Sequence, residues 1–283
     1  MTALDLVTLT PLMERTSGRR DVTIGLIDGP VALGHPELAS PNIHEIGSGA
    51  CARAESAACL HGTFVAGILS ARRGTVAPAI CPGCRLLVRP IFAEATGADG
   101  VTPSATPKAL AAALVDCLAA GARVVNASVA LAEPAMRSEY EVERALDHAV
   151  RRGVIVVAAA GNQGTLGSTA VTRHPWAIPV VAYDLEAKPV GQSNLGSSIG
   201  RRGLGAPGER ITSIGANGRP LTLGGTSAAA PFVTGAIALL WSQFPAATAI
   251  EVKAAIAQAY APRRRTVVPP LLDAWAAYQV MRS

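Results

Sequence analysis

Val22-Thr23-Ile24-Gly25-Leu26-Ile27 is a short, almost unbroken apolar run that ends in Asp28-Gly29-Pro30. Its length suits a strand rather than a helix, and its continuity suits a strand buried on both faces. Residues 85–92, 122–126 and 154–159 repeat the pattern. Between them, residues 105–120 and 139–152 read as Ala-rich helices that stop at Gly121 and Gly153, the residue type best suited to the left-handed turn after a helix. Strands alternating with crossover helices predict an α/β fold of three layers, a mainly parallel central sheet flanked by helices. Farther along, short strands near 179–182 and 211–214 give way to helices over 226–243, 248–259 and 271–281. No repeat or linker interrupts the pattern. Residues 1–283 therefore read as one domain, with 1–20 as an N-terminal extension, a core from about 21 to 283, and a surface loop over 47–60.

The chain has 283 residues, 49 % of them hydrophobic, which is ample for a buried core. No apolar run reaches membrane-spanning length, and Met1-Thr2-Ala3-Leu4-Asp5 lacks the start of a secretory signal. No membrane partner and a cytoplasmic location are expected. A net charge of +5 is spread over a chain with only 16 % charged and 4 % aromatic residues, so no nucleic-acid partner is expected. Five cysteines argue against a disulfide-built scaffold and fit a reducing compartment. Cys81-Pro82-Gly83-Cys84 has the spacing of half a zinc site that Cys51 and Cys59 could complete, but free thiols or one or two disulfides fit as well. Cys117 reads as a small core residue. No metal and no cofactor are expected, and no acidic calcium loop is evident.

Three segments carry chemistry. Asp28 closes a strand, at the sheet end where ligands gather in α/β folds. His61 opens what reads as an amphipathic helix, His61-Gly62-Thr63-Phe64-Val65-Ala66-Gly67-Ile68. Gly224-Gly225-Thr226-Ser227 delivers a serine to the start of a long apolar helix, with Pro231 read as a first-turn residue whose missing N–H costs nothing. Each alone has a structural reading, as a loop cap, a core histidine or a turn. An acid, a histidine and a serine in that order form one of the known arrangements of a nucleophilic triad.

With Ala159-Ala160-Gly161-Asn162, these segments make the sequence resemble the subtilisin-like serine proteases from about residue 22 to 281. The resemblance implies Ser227 as nucleophile, His61 as general base, Asp28 as its orienting acid, and an oxyanion hole made by the Asn162 side chain and the Ser227 N–H. It also implies two substrate-binding backbone rails, Ser128-Val129-Ala130 and Ala158-Ala159-Ala160-Gly161. The chain departs from the common pattern at Ala130, where glycine is usual, and at Ala228 and Phe232. Ala130 would narrow the pocket before the scissile bond. The stretches Leu26 to Val31, Leu60 to Thr63 and Val88 to Phe92 are similar to the proteases of cyanobactin pathways, which cut or cyclise precursor peptides. Without a prodomain before Asp28, intracellular processing would fit. The expectation is a serine endopeptidase acting on a peptide or precursor peptide. A macrocyclase using the same acyl-enzyme, a general degradative protease, and a non-catalytic peptide-binding scaffold are the alternatives. Many secreted relatives bind calcium after the histidine helix; Ser70-Ala71-Arg72-Arg73-Gly74 puts two cations there instead, so calcium is not expected.

Overall fold

The computed structural model describes residues 1–38, 41–47, 49–92, 94, 104–131, 136–259 and 266–283; at 104, 130, 131 and 136–138 it describes the backbone alone. The chain opens with two short helices, α1 (Ala3–Leu6) and α2 (Thr10–Arg15). The sheet then begins with β1 (Thr23–Asp28) and β2 (Ile43–Glu45), followed by α3 (Ala57–Ser70) and β3 (Arg85–Pro90). Next come β4 (Ser104–Ala105), α4 (Pro107–Ala119), β5 (Val124–Ala127), β6 (Ala130–Leu131), α5 (Met136–Arg152) and β7 (Ile155–Ala159). The second half runs α6 (Ala170–Arg173), β8 (Ile178–Tyr183), α7 (Ser197–Arg202), β9 (Leu204–Pro207), and the hairpin β10 (Ile211–Ile214) and β11 (Pro220–Leu223). It closes with α8 (Thr226–Gln243), α9 (Ala249–Gln258) and α10 (Ala274–Arg282).

Seven strands form one parallel sheet in the order β2-β3-β1-β5-β7-β8-β9, flanked by helices, as the alternating pattern predicts. The chain builds outward from β1 to one side through β3 and to the other through β5. The order therefore reverses at the β1–β5 pair, and the crevice past the C-terminal ends of those strands is where this architecture places ligands. Asp28 ends β1, and Ser128 follows the last residue of β5.

One face of the sheet carries α8, which touches β5, β7, β8 and β9 and is buried from Ala228 to Ser242. Small residues let it lie close: a Cβ on Gly235 would sit 2.6 Å from Ile80 Cγ2. The other face carries α4 and α5, whose apolar residues form a second core cluster with Ile27, Val125 and Val156.

The stretch expected as an extension is built into the first core. Val7, Leu9 and Leu12 are fully buried, and the Ala274 amide donates to the Val7 carbonyl. The Arg73 guanidinium ties α2 to the loop after α3 by donating to the carbonyls of Met13 (2.6 Å), Thr16 (2.8 Å) and Ile80 (3.0 Å).

Three expectations need correction. The histidine helix starts at Ala57, capped by the Ser56 hydroxyl, so the surface loop ends at residue 56 and His61 lies in the second turn. That helix is not amphipathic, because Gly62 through Ser70 are all buried between β1, α8 and β10. The last helix begins at Ala274 under an Asp273 cap, since Leu271 is engaged in a bridge with Gly205. The charged run Arg263-Arg264-Arg265, which reads from sequence as a solvated face, lies outside the described residues.

Candidate active site

Asp28 is fully buried at the end of β1. Its Oδ1 accepts from the Gly29 amide and from His61 Nδ1, both at 2.6 Å. Glycine makes this approach possible. A Cβ on Gly29 would lie 2.0 Å from the Ala58 carbonyl oxygen, and one on Gly62 would lie 2.4 Å from the carbonyl oxygens of both Gly29 and Pro30. Backbone thus packs on backbone, and α3 carries His61 to the acid. Asp28 Oδ2 is buried and receives no hydrogen bond among the described residues; Pro30, two residues on, has no N–H to offer.

With Nδ1 donating to Asp28, His61 Nε2 is the acceptor for the Ser227 hydroxyl, 3.0 Å away. Burial pushes the imidazolium down, but the charge of Asp28 and the hydrogen bond to it outweigh that, so the His61 pKa lies above its ordinary value. Ser227 is the second residue of α8, which starts directly after Gly225 at φ +110°. Its amide belongs to the first helical turn and has no carbonyl partner within the helix.

Asn162 is fixed by its neighbours. Its Oδ1 accepts from the Thr226 amide (2.8 Å) and the Thr226 hydroxyl (3.0 Å), and that hydroxyl accepts from the Gly161 amide (3.1 Å). A backbone N–H can only donate, so the side-chain oxygen faces Thr226 and the NH2 is the end left for a ligand.

A small cavity is lined by Leu110, Ala127, Val129, Ala158, Ala159, Ala160, Gly161, Gln163, Thr169, Val171 and Asn194. No ionisable side chain lines it. Ala158 and Ala159 are in register with strand partners on β8, and the Ala160 amide donates to Val180. The stretch expected as a second rail walls the cavity, with Ala158 to Ala160 joined to β8 on one edge and the Gly161 amide donating to the Thr226 hydroxyl. The first rail is different: β6 pairs with β4 on one edge and has no second partner among the described strands. The Ala130 side chain, expected to narrow the pocket, lies outside what is described.

Ser128 does not line the cavity. Its hydroxyl donates to the Ser227 carbonyl at 3.1 Å and accepts from Asn126 Nδ2 at 2.8 Å, while Thr234 donates to Asn126 Oδ1 at 2.8 Å. Asn126 and Thr234 have no motif of their own, and Thr226 shares that of Ser227 with no role read for it from the sequence.

Cys51 and Cys59 are joined in a disulfide, and Cys81, Cys84 and Cys117 are buried free thiols. Cys51 and Cys59 are thus unavailable to complete a zinc site with the other pair. Glu94 holds the intervening loop by accepting from the amides of Ala52 and Arg53 and from the Ser56 hydroxyl. Burial pushes the Cys117 thiol up to about 12, as befits a core residue.

The sequence model of the subtilase family matches residues 19–270. Subtilisin DY of Bacillus licheniformis is 29 % identical over 238 residues, covering 82 % of this chain and 81 % of that protein. Among solved structures, a variant of the protease domain of PatA superposes with a TM-score of 0.82 at 28 % identity, covering 94 % of this chain and 96 % of that one. The prenylagaramide maturation protease PagA gives 0.82 at 27 % identity, covering 96 % and 98 %.

Proposed function

This chain belongs to the subtilase family, and from that we propose that it cleaves a precursor peptide through Ser227, His61 and Asp28. It is a subtilisin-like serine peptidase. The observation that carries the residue roles is the pair of hydrogen bonds joining Asp28 to His61 at 2.6 Å and His61 to Ser227 at 3.0 Å.

Ser227 Oγ attacks the scissile carbonyl carbon as His61 Nε2 takes the hydroxyl proton, since an unassisted hydroxyl is a weak nucleophile at neutral pH. Asp28 holds the ring in the tautomer that keeps Nε2 free and stabilises the imidazolium. The oxyanion is met by the Asn162 NH2 and the first-turn amide of Ser227, donors set in place before charge develops. His61 then gives its proton to the leaving amine, and water, activated by the same ring, resolves the acyl-enzyme. The substrate strand pairs with the edge that runs from the Ser128 carbonyl to Ala130, the Ser128 amide being held by Ile27, and places its side chain in the uncharged cavity beside Gly161.

The precursor reading rests on likeness to PatA and to PagA, itself a maturation protease. Under it, residues 1–283 act as one peptidase domain on a peptide partner and without a cofactor. Ser227→Ala should abolish both peptide cleavage and labelling by a fluorophosphonate while leaving the fold intact. Labelling at the wild-type level would overturn the assignment. Product mass separates the outcomes: hydrolysis adds one water to the two fragments, whereas an amine attack yields a cyclic product without it.

A further inference from the structure

Pro231 was expected to sit harmlessly in the first turn of its helix, but α8 begins at Thr226, so Pro231 is the sixth helical residue. At that position an ordinary residue would donate its amide to the carbonyl four residues back, which is that of Ser227. Proline withholds the donor from the residue whose hydroxyl faces His61. The Ser227 carbonyl is not left unpaired, because the Ser128 hydroxyl donates to it from the end of β5 at 3.1 Å. Ser128 is in turn held by Asn126 Nδ2, and Asn126 by the hydroxyl of Thr234 on α8 itself. All three side chains are buried, Asn126 and Thr234 completely.

We propose that Ser128 is a positioning residue for the nucleophile: its hydroxyl replaces the amide that Pro231 lacks and locks the first turn of α8 against β5. The inference rests on Ser227 being the nucleophile. A buried carbonyl that loses its donor pulls its peptide toward another partner. Here the peptide that would tilt joins Ser227 to Ala228 and turns the Ser227 Cα that bears Oγ, so small displacements lengthen the 3.0 Å contact with His61 Nε2. Rates depend steeply on that placement, whereas ground-state binding along the cavity does not involve it. The end of β5 at Asn126 to Ser128 and the helical turn at Thr234 therefore clamp both sides of the segment that proline leaves open.

The test is a set of variants assayed for kcat, KM, fluorophosphonate labelling rate and melting temperature. Ser128→Ala should lower kcat and labelling by about tenfold with KM changed by less than about twofold. Pro231→Ala restores a backbone N–H opposite the same carbonyl, so Ser128→Ala/Pro231→Ala should regain most of the lost kcat relative to Pro231→Ala alone. A purely structural role would show a lower melting temperature without that rescue. Ser128→Cys, with a weaker donor of similar size, should fall between and covers the case in which the alanine variant does not fold. The proposal is overturned if Ser128→Ala keeps wild-type kcat or if adding Pro231→Ala brings no recovery. Ser227→Ala runs alongside: cleavage surviving in that variant removes the assigned nucleophile, whereas its loss beside an unaffected Ser128→Ala removes this proposal alone.

Discussion

Gly29 and Gly62 meet backbone to backbone, so close that a Cβ on Gly62 would lie 2.4 Å from the Gly29 carbonyl oxygen. Gly62 also follows His61, so the same contact sets how near the histidine comes to Asp28. Gly62→Ala should cost about 1–3 kcal/mol of stability through overpacking and should lower fluorophosphonate labelling far more than that loss explains. Denaturant melts and labelling rates measured on the same samples check this. Normal labelling would show that the contact does not control the site.

The pH dependence follows from what raises the His61 pKa. The base must be neutral to work, so a raised pKa moves the acid limb of kcat/KM above the ordinary histidine value of 6.5. In Asp28→Asn the charge is gone and burial, which lowers the pKa, is left to act. The limb should then move down, with kcat falling by about 10³–10⁴-fold. A limb that stays in place would mean that another group titrates.

Asn162→Ala should lower kcat by about 10²–10³-fold with little change in KM, because its NH2 meets charge present mainly in the transition state. Thr226→Val, which removes one of the two donors to Asn162 Oδ1, should have a smaller effect in the same direction. A KM effect in place of a kcat effect would move Asn162 from the oxyanion to substrate binding.

Arg73 binds carbonyls from two separate segments, Met13 and Thr16 in one and Ile80 in the other, in the stretch where no calcium is expected. Chelation by EGTA should leave the melting temperature unchanged, and Arg73→Met should lower it, since a charge-assisted hydrogen bond contributes about 1.5–3 kcal/mol. A chelator-induced drop of several degrees would show a calcium requirement.

The buried strands could be read from the sequence because a run that is apolar on both faces can hide nowhere but inside a covered sheet. Asp28, His61, Ser227 and Asn162 stood out because each sits in a glycine-rich motif, and glycine marks the places where backbones must approach. The same rule failed where burial was complete: α3 has apolar residues on every side, so its pattern did not reveal where the helix begins. Leu12 lies in a helix too short to show a period, and Val7 and Leu9 only flank such helices. Ser128 and Ser227 are 99 residues apart in the chain and Asn126 and Thr234 are 108 apart, so nothing local announces their pairing. The partnership of Cys51 with Cys59 was equally hidden, because spacing alone allows a thiol, a disulfide or a metal ligand.

The burial of α8 has a consequence for self-digestion. Ser227 is anchored to a helix that lies inside the core along nearly its whole length, so its amides should exchange with deuterated water only when the whole protein unfolds. A peptidase can be cut only where its own chain can become an extended strand. The segment bearing the nucleophile is then the last to become a substrate, and autolysis must begin at looser ground. A molecule nicked there would keep a working Ser227 for as long as the central helix stays packed.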